Sequence, residues 1–244
     1  MPTSPRTDGR QLDALREIRL TTGCNPYAEG SCLVNFGMTE VLCTASVQAK
    51  VPQWLKGKGQ GWLTAEYGML PRATGERKDR EATRGKQEGR TVEIQRLIGR
   101  SLRSVCNLAN LDGYTLWLDC DVLVADGGTR TAAITGSYVA AAIALRHMEQ
   151  QKLLKGVVMR EPLAAVSCGL LESGVVLDMN YAEDSQTLAD ANFVMSASGR
   201  WIEMQVSAEQ APVDDAAMEK MKDYARGGIR HLLELQQQAL ALSV

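Results

Sequence analysis

The stretch "LDCDVLVADGGTRTAAITGSYVAAAIALRHMEQ", Leu118–Gln150, decides how the chain is read. Its first half is rich in β-formers and alternates, which predicts a strand. Its second half is long and lined with Ala and Gly, which predicts a helix over 131–150 that packs closely on a sheet. Between them stand Gly127, Gly128, Thr129, Arg130 and Thr131. Two glycines let the backbone bend tightly and expose its N–H groups. A helix start offers unpaired N–H groups and a partial positive charge. Arg130 adds a planar guanidinium that can grip two oxygens of an anion. Thr129 and Thr131 add hydroxyl donors. The turn therefore reads either as a phosphate site or as an ordinary strand-to-helix turn with a solvated arginine. It is not a Walker A loop, because no Gly-Lys-Ser/Thr follows.

Working outward, "SCLVNF" and "EVLCTASVQA" predict a hairpin turning at Gly-Met-Thr, and "GWLTAEYGML" a further strand. Ile94, Ile98, Leu102 and Val105 repeat at helical spacing and predict a helix over 91–108. In the second half "LAAVSCGLL", "GVVLDMN", "ANFVMSAS" and "WIEMQVS" predict strands, and 214–242 an amphipathic helix. Strands then a helix, twice, predict an α/β (α+β) chain. One domain over 1–244 is expected, made of two related halves at about 10–155 and 156–244.

Composition narrows the function classes. With 244 residues, 45% hydrophobic, the chain can bury a full core. A net charge of −2 gives no global field for nucleic acid, so any such contact needs a local patch. No apolar run approaches the ~20 residues of a membrane span, and no membrane partner is expected. Six scattered cysteines without a CxxC pair predict buried, reduced thiols and a cytoplasmic protein. His147 and His231 lack a catalytic constellation and are expected to pack or sit on the surface. Trp54, Trp62, Trp117 and Trp201 are expected in the core or an interface.

Two further segments bear on chemistry. In Arg72–Arg90, "RATGERKDREATRGKQEGR", five Arg and two Lys against four acids leave +3, with Ala73 and Ala82 the only apolar residues. It is expected as a long loop, either solvated or guiding a phosphodiester backbone. In "LDMNYAEDSQTLAD", Asp178 and Asp184 bracket a strand end, with Glu183 and Asp190 nearby. Such oxygens at a turn suit Mg²⁺, or simply stay solvated. Asp119 and Asp121 share one face of a strand and form a second conceivable acid pair.

The blocks "EGSCLVNFGMTEVLCTASV", "LKGKGQGWLTAEYGMLPR", "GRTVEIQRLIGRSLR", "LDCDVLVADGGTRTAAITG", "LDMNYAEDS" and "ARGGI" together resemble the ribonuclease PH family of phosphate-dependent exoribonucleases. The resemblance implies a duplicated β/α fold, similar to the second domain of a small-subunit ribosomal protein, in a homo-hexamer built as a trimer of dimers. It implies phosphorolysis: inorganic phosphate attacks the last linkage of an RNA 3′ end, a nucleoside diphosphate leaves, and the reaction reverses as nucleotide addition. The expected RNAs are tRNA precursors and other RNA 3′ ends. By motif, Arg90, Gly128, Thr129 and Arg130 bind the phosphate, and Asp178 and Asp184 hold Mg²⁺. With Arg130, those two acids are the expected catalytic set. Arg72, Arg77 and Arg80 guide RNA. One departure is Glu88, where the family usually has glycine; an acid beside Arg90 is expected to weaken anion affinity slightly. The rivals are a hydrolytic nuclease releasing monophosphates, a ring subunit that only binds RNA, and a small-molecule kinase, which would need an ATP-phosphate loop that the sequence lacks.

Overall fold

The computed structural model describes Arg6 and residues 8–243. The remaining residues of the expected 1–244 domain lie outside the described part. The first sheet holds β1 (Ile18–Thr22), β2 (Gly30–Phe36), β3 (Thr39–Gln48), β4 (Trp62–Met69) and β5 (Thr115–Val124), in the order β1-β2-β3-β5-β4. Its neighbours are antiparallel except β4 and β5, which run parallel. A parallel pair needs a crossover, and α2 (Gly89–Ser104) supplies it. Before it comes a single helical turn, α1 (Glu81–Arg84). The second sheet holds β6 (Leu163–Leu171), β7 (Gly174–Leu177), β8 (Ala189–Ser196) and β9 (Trp201–Ala208), in the order β7-β6-β8-β9, all antiparallel.

The long helix α3 (Thr129–Gln150) packs on β2 and β3 of the first sheet and on β6 of the second. Its small residues make this possible. A Cβ on Gly136 would fall 2.8 Å from Val34 and 2.9 Å from the Cys43 sulfur. Ala132, Ala133, Ala140, Ala141 and Ala144 are buried without accessible surface. Beside α3 lies α5 (Asp215–Leu242), seated on β6 and β7. Gln236 of α5 donates to the carbonyls of Thr135 and Leu163, both at 3.0 Å, and so ties both helices to the second sheet.

The α/β class and its two sheets are as expected. The expected helices start or end a few residues away from the observed ones, and β1 is an addition. Its residues alternate exposed and half-buried along a sheet edge, and that pattern is weak in a short run. The free edge of β4 is covered: Gln95 of α2 donates to Tyr67 O at 3.4 Å and Arg103 to Leu63 O at 2.9 Å. Such cover protects an edge strand from pairing with other chains.

All six cysteines are free; five are buried, but Cys24 is exposed. His147 and His231 are exposed, the former 2.8 Å from Gln151 and the latter 3.6 Å from Glu234. None of the four tryptophans is in the core, contrary to one of the two expected placements: Trp54 is 55% exposed and the others are half-buried. Among the described residues, no helix is long and apolar enough to cross a membrane.

Candidate functional site

The strand-to-helix turn is built as a cradle. Gly127 and Gly128 have φ of +77° and +68°, which a side chain would strain. Space forbids a side chain on Gly127, where a Cβ would lie 2.5 Å from Met179 O, and one on Gly128 would press on Arg16 Nη2 at 3.0 Å. Gly128 caps α3 without a side-chain acceptor, so the helix opens with unpaired N–H groups and the positive end of a 22-residue dipole.

The two threonines separate in role. Thr131 Oγ1 donates to Gly128 O at 2.9 Å, so its hydroxyl proton is already used within the turn. Thr129 Oγ1 accepts from Tyr67 OH at 2.9 Å, which leaves its own proton for an incoming oxygen. Burial raises the Tyr67 pKa, while the Thr129 hydroxyl, Arg90 and Arg130 act in the other direction. A protonated Tyr67 suits this donor role.

Arg130 lies largely covered, with Nη1 3.3 Å from Glu93 Oε1 and 3.2 Å from Gln205 Oε1. Glu93 comes from α2 and Gln205 from β9, so helix and second sheet together aim the guanidinium. Arg90 sits in the first turn of α2 and is exposed. Asp184 ends the short turn α4 (Tyr181–Asp184). Asn180 Oδ1 accepts from Glu183 N at 3.0 Å and Glu183 Oε2 accepts from Asn180 N at 3.1 Å, a reciprocal cap that fixes this turn. Burial raises the Asp184 pKa, Asp190 raises it further, and Arg90 and Arg130 pull it back. Arg90 and Arg130 thus lie near enough for their charges to act on Asp184.

Asp178 has a different place. It is fully buried at φ +51°. Arg16 holds its carboxylate with Nη2–Oδ1 at 2.7 Å, Nε–Oδ2 at 3.0 Å and the backbone N–Oδ2 at 2.8 Å. Arg16 also donates to Asp126 O at 2.5 Å and Gly127 O at 3.3 Å. As placed, then, the Asp178 carboxylate braces the glycine turn from beneath rather than standing free for a metal. Asp184, which is exposed, lies near enough to Asp190 to feel its charge. Asp190 Oδ1 is buried with no hydrogen-bond partner, and the two acids repel one another. Two carboxylates of this kind fit Mg²⁺, which takes one or two of them and fills its remaining positions with water and phosphate oxygens. Glu183 is committed elsewhere, paired with Arg6 at 2.6 and 2.7 Å.

The Arg72–Arg90 loop is more structured than expected. Ala73 is buried and its carbonyl accepts from Ala125 N at 2.8 Å, Thr91 Oγ1 donates to Glu81, and Gly85 closes α1 at φ +71°. Arg72, Arg77 and Arg80 are exposed; Arg77 pairs with Asp79 at 2.9 Å. Glu88 pairs with Arg84 at 2.7 Å in an exposed ion pair. Asp119 and Asp121 lie on the sheet face away from the cradle, with Glu66 in register beside Asp119. Among the described residues, no group of three or more His, Cys, Asp or Glu can hold a metal ion.

Sequence reasoning passed over Arg16, Tyr67, Glu93 and Gln205. Each lies in a different element from the turn it serves. Asp190 was noted but not paired with Asp184.

Residues 14–147 match the family described as 3′ exoribonuclease family, domain 1, and residues 161–228 match domain 2 of that family. Among solved structures, rice (Oryza sativa) Rrp46 is similar with a TM-score of 0.77 at 20% identity, over 96% of this chain and 100% of that one. An Archaeoglobus fulgidus exosome with RNA bound to the active site is similar with a TM-score of 0.77 at 20% identity, over 94% and 92%. An archaeal exosome core gives 0.74 at 19% identity, over 96% and 91%. At such identity these likenesses show the shared fold.

Proposed function

Because the chain belongs to the 3′ exoribonuclease family, both of whose domains it carries, we propose that it shortens RNA from the 3′ end by phosphorolysis. What carries this reading is the uncapped start of α3 behind two left-handed glycines, with Arg130 held beside it by Glu93 and Gln205. A hydrolytic enzyme needs anion contacts only for the scissile phosphodiester, since water carries no charge. A phosphate nucleophile needs its own, because it must approach another anion.

In this reading inorganic phosphate, the co-substrate, sits on the α3 N–H groups, Thr129 and Arg130, with Arg90 closing the far side. Its oxygen attacks the terminal phosphorus. The bond to the 3′ oxygen of the preceding nucleotide breaks, that oxygen takes a proton, and a nucleoside diphosphate leaves. Catalysis of this kind is mainly positioning and screening of charge. Mg²⁺, held by Asp184 and Asp190, would screen the phosphodiester. Asp178 supports the site through Arg16. Arg72, Arg77 and Arg80 offer exposed charge to the RNA backbone. The proposed substrates are tRNA precursors and other RNA 3′ ends, the proposed assembly a homo-hexamer of three dimers, and the proposed location the cytoplasm.

Incubation with a 3′-extended tRNA and Mg²⁺, with and without phosphate, tests the reading. Nucleoside diphosphate released only with phosphate is expected. Monophosphate release in either condition would establish hydrolysis instead, and RNA binding without release would leave a binding subunit.

A further inference from the structure

The clearest exposed aromatic feature lies away from the cradle. Trp54 sits in a 3₁₀ turn, Gln53–Leu55, and is 55% exposed. It meets Trp62, the first residue of β4, edge to face, with ring centroids 4.8 Å apart and planes at 83°. The Arg103 guanidinium lies 4.5 Å from the Trp62 ring centroid, anchored by its bond to Leu63 O. Between the tryptophans, Lys56 and Lys58 are exposed, and Lys50 precedes them; residues 50–62 contain no acid.

The loop is pinned at both ends. Leu55 is buried, and Gly61 N donates to Leu108 O at 2.9 Å. Its crest is open: Gly57 and Gly59 have φ of +78° and +66°, with nothing within 4 Å of an added Cβ. Aromatic surface is thus held in place among cations. An edge-to-face contact uses at most one face of Trp54 and leaves the other for a flat partner.

This patch connects to the cradle through α2. Arg90 lies in the first turn of that helix and Arg103 in its last, a rise of about 20 Å at ~1.5 Å per residue. Exposed Arg96 lies between them, and Arg96 and Arg103, seven apart, share a face. We infer that Trp54, backed by Trp62 and Arg103 and flanked by Lys56 and Lys58, is a second RNA site that stacks a base upstream of the 3′ end. The inference rests on the reading that the 3′ end lies at the glycine turn. Stacking combined with positive charge is how proteins hold single strands without reading sequence. An apolar contact between copies of this chain would explain Trp54 but would gain nothing from three lysines that form no ion pair among the described residues.

The test compares oligouridylates of about 4 and about 16 nucleotides, the range of single-strand site sizes. The full chain is used with Trp54→Ala, Trp54→Phe and the double change Lys56→Glu with Lys58→Glu. For Trp54→Ala, KM for the longer RNA is expected to rise roughly five- to a hundredfold, as loss of one base–aromatic stack implies. kcat and the short-RNA KM stay unchanged, and Trp54→Phe recovers most of the loss. The lysine variant should flatten the salt dependence of binding. An unchanged long-RNA KM, or equal changes on both RNAs, would overturn the inference. So would a Trp54→Ala protein of smaller assembly mass by light scattering, which would make the patch a contact between copies. Anisotropy of labelled RNA without phosphate reads the patch independently. If the wild type releases no diphosphate, the functional reading fails, while weaker binding by Trp54→Ala would still support the second site.

Discussion

Arg16 and Asp178 form a buried, two-pronged ion pair directly beneath the glycine turn, with contacts of 2.7 and 3.0 Å. Neither residue is accessible to a bulky substrate. Arg16 passes the constraint upward through the carbonyls of Asp126 and Gly127.

Removing one partner of a buried ion pair costs about 3–5 kcal/mol, and Arg10, 3.6 Å from Asp178, leaves the loss of Arg16 at the lower end of that range. Arg16→Met is therefore expected to lower stability by that amount, measured by urea unfolding. Asp178→Asn is expected to do the same to a smaller degree, since the amide oxygen can still accept from Arg16 and both Asn and Asp tolerate the left-handed backbone at that position. In a double-mutant cycle the two losses should be strongly non-additive. Additive losses would mean that the pair does not act as a unit.

Arg130→Ala is expected to lower kcat/KM for phosphorolysis by roughly 10²–10³-fold, the usual effect of losing one fixed donor to a developing oxyanion. Glu93 and Gln205 aim this guanidinium, so Gln205→Ala should give a smaller loss in the same direction. Steady-state kinetics with varied phosphate separates the two effects. Near-normal turnover by Arg130→Ala would refute the cradle.

Asp184→Asn and Asp190→Asn are each expected to abolish Mg²⁺-dependent turnover while leaving the fold intact by circular dichroism. Calorimetric titration with Mg²⁺ and phosphate should show weakened metal uptake in both. Retention of full metal affinity by Asp190→Asn would return the second ligand's role to another group.

The glycine turn was legible as a strand-to-helix turn because its residues are consecutive, although two glycines, an arginine and two hydroxyls within five positions left open whether it holds an anion or only turns the chain. The strands and long helices were legible because their periodicity is local. Arg16 was not, because its partner Asp178 lies 162 positions away and an arginine before a short edge strand carries no signal of its own. The Thr131 hydroxyl looked available until the turn geometry showed it bonded to Gly128 O. Trp54 read by type alone as a core or interface residue, and its position in an open loop, 55% exposed, rules out the core.

Glu88 is expected to be nearly silent. Its carboxylate is taken by Arg84 in an exposed pair, and such pairs contribute about 0–1 kcal/mol. Glu88→Gly should leave the phosphate KM within about twofold of the parent, since less than half a kcal/mol is at stake. A several-fold lower phosphate KM would show that Glu88 does act on Arg90.

Asp119 gives the pH test. Burial raises its pKa, and Glu66 and Asp121 add to the rise. The folded state therefore binds this proton more tightly than the unfolded chain, and the group's contribution to stability falls as pH rises through the raised pKa. Asp119→Asn should raise Tm at neutral pH by no more than about 2–4 °C, the shift per kcal/mol for a chain of this size. The gain should vanish below pH ~3.9, where the unfolded carboxyl is also protonated. A gain that persists in acid would place its origin in packing rather than charge.

The contact of Arg130 with Gln205 has a consequence in time. It joins a helix start in the first half to the outermost strand of the second, across 75 positions of chain. Contacts so distant in sequence close late during folding, after local hairpins and helices have formed. A stopped-flow renaturation should regain its far-ultraviolet signal before it regains affinity for phosphate. A nascent chain would accordingly remain inert until its last strand has been synthesised and docked.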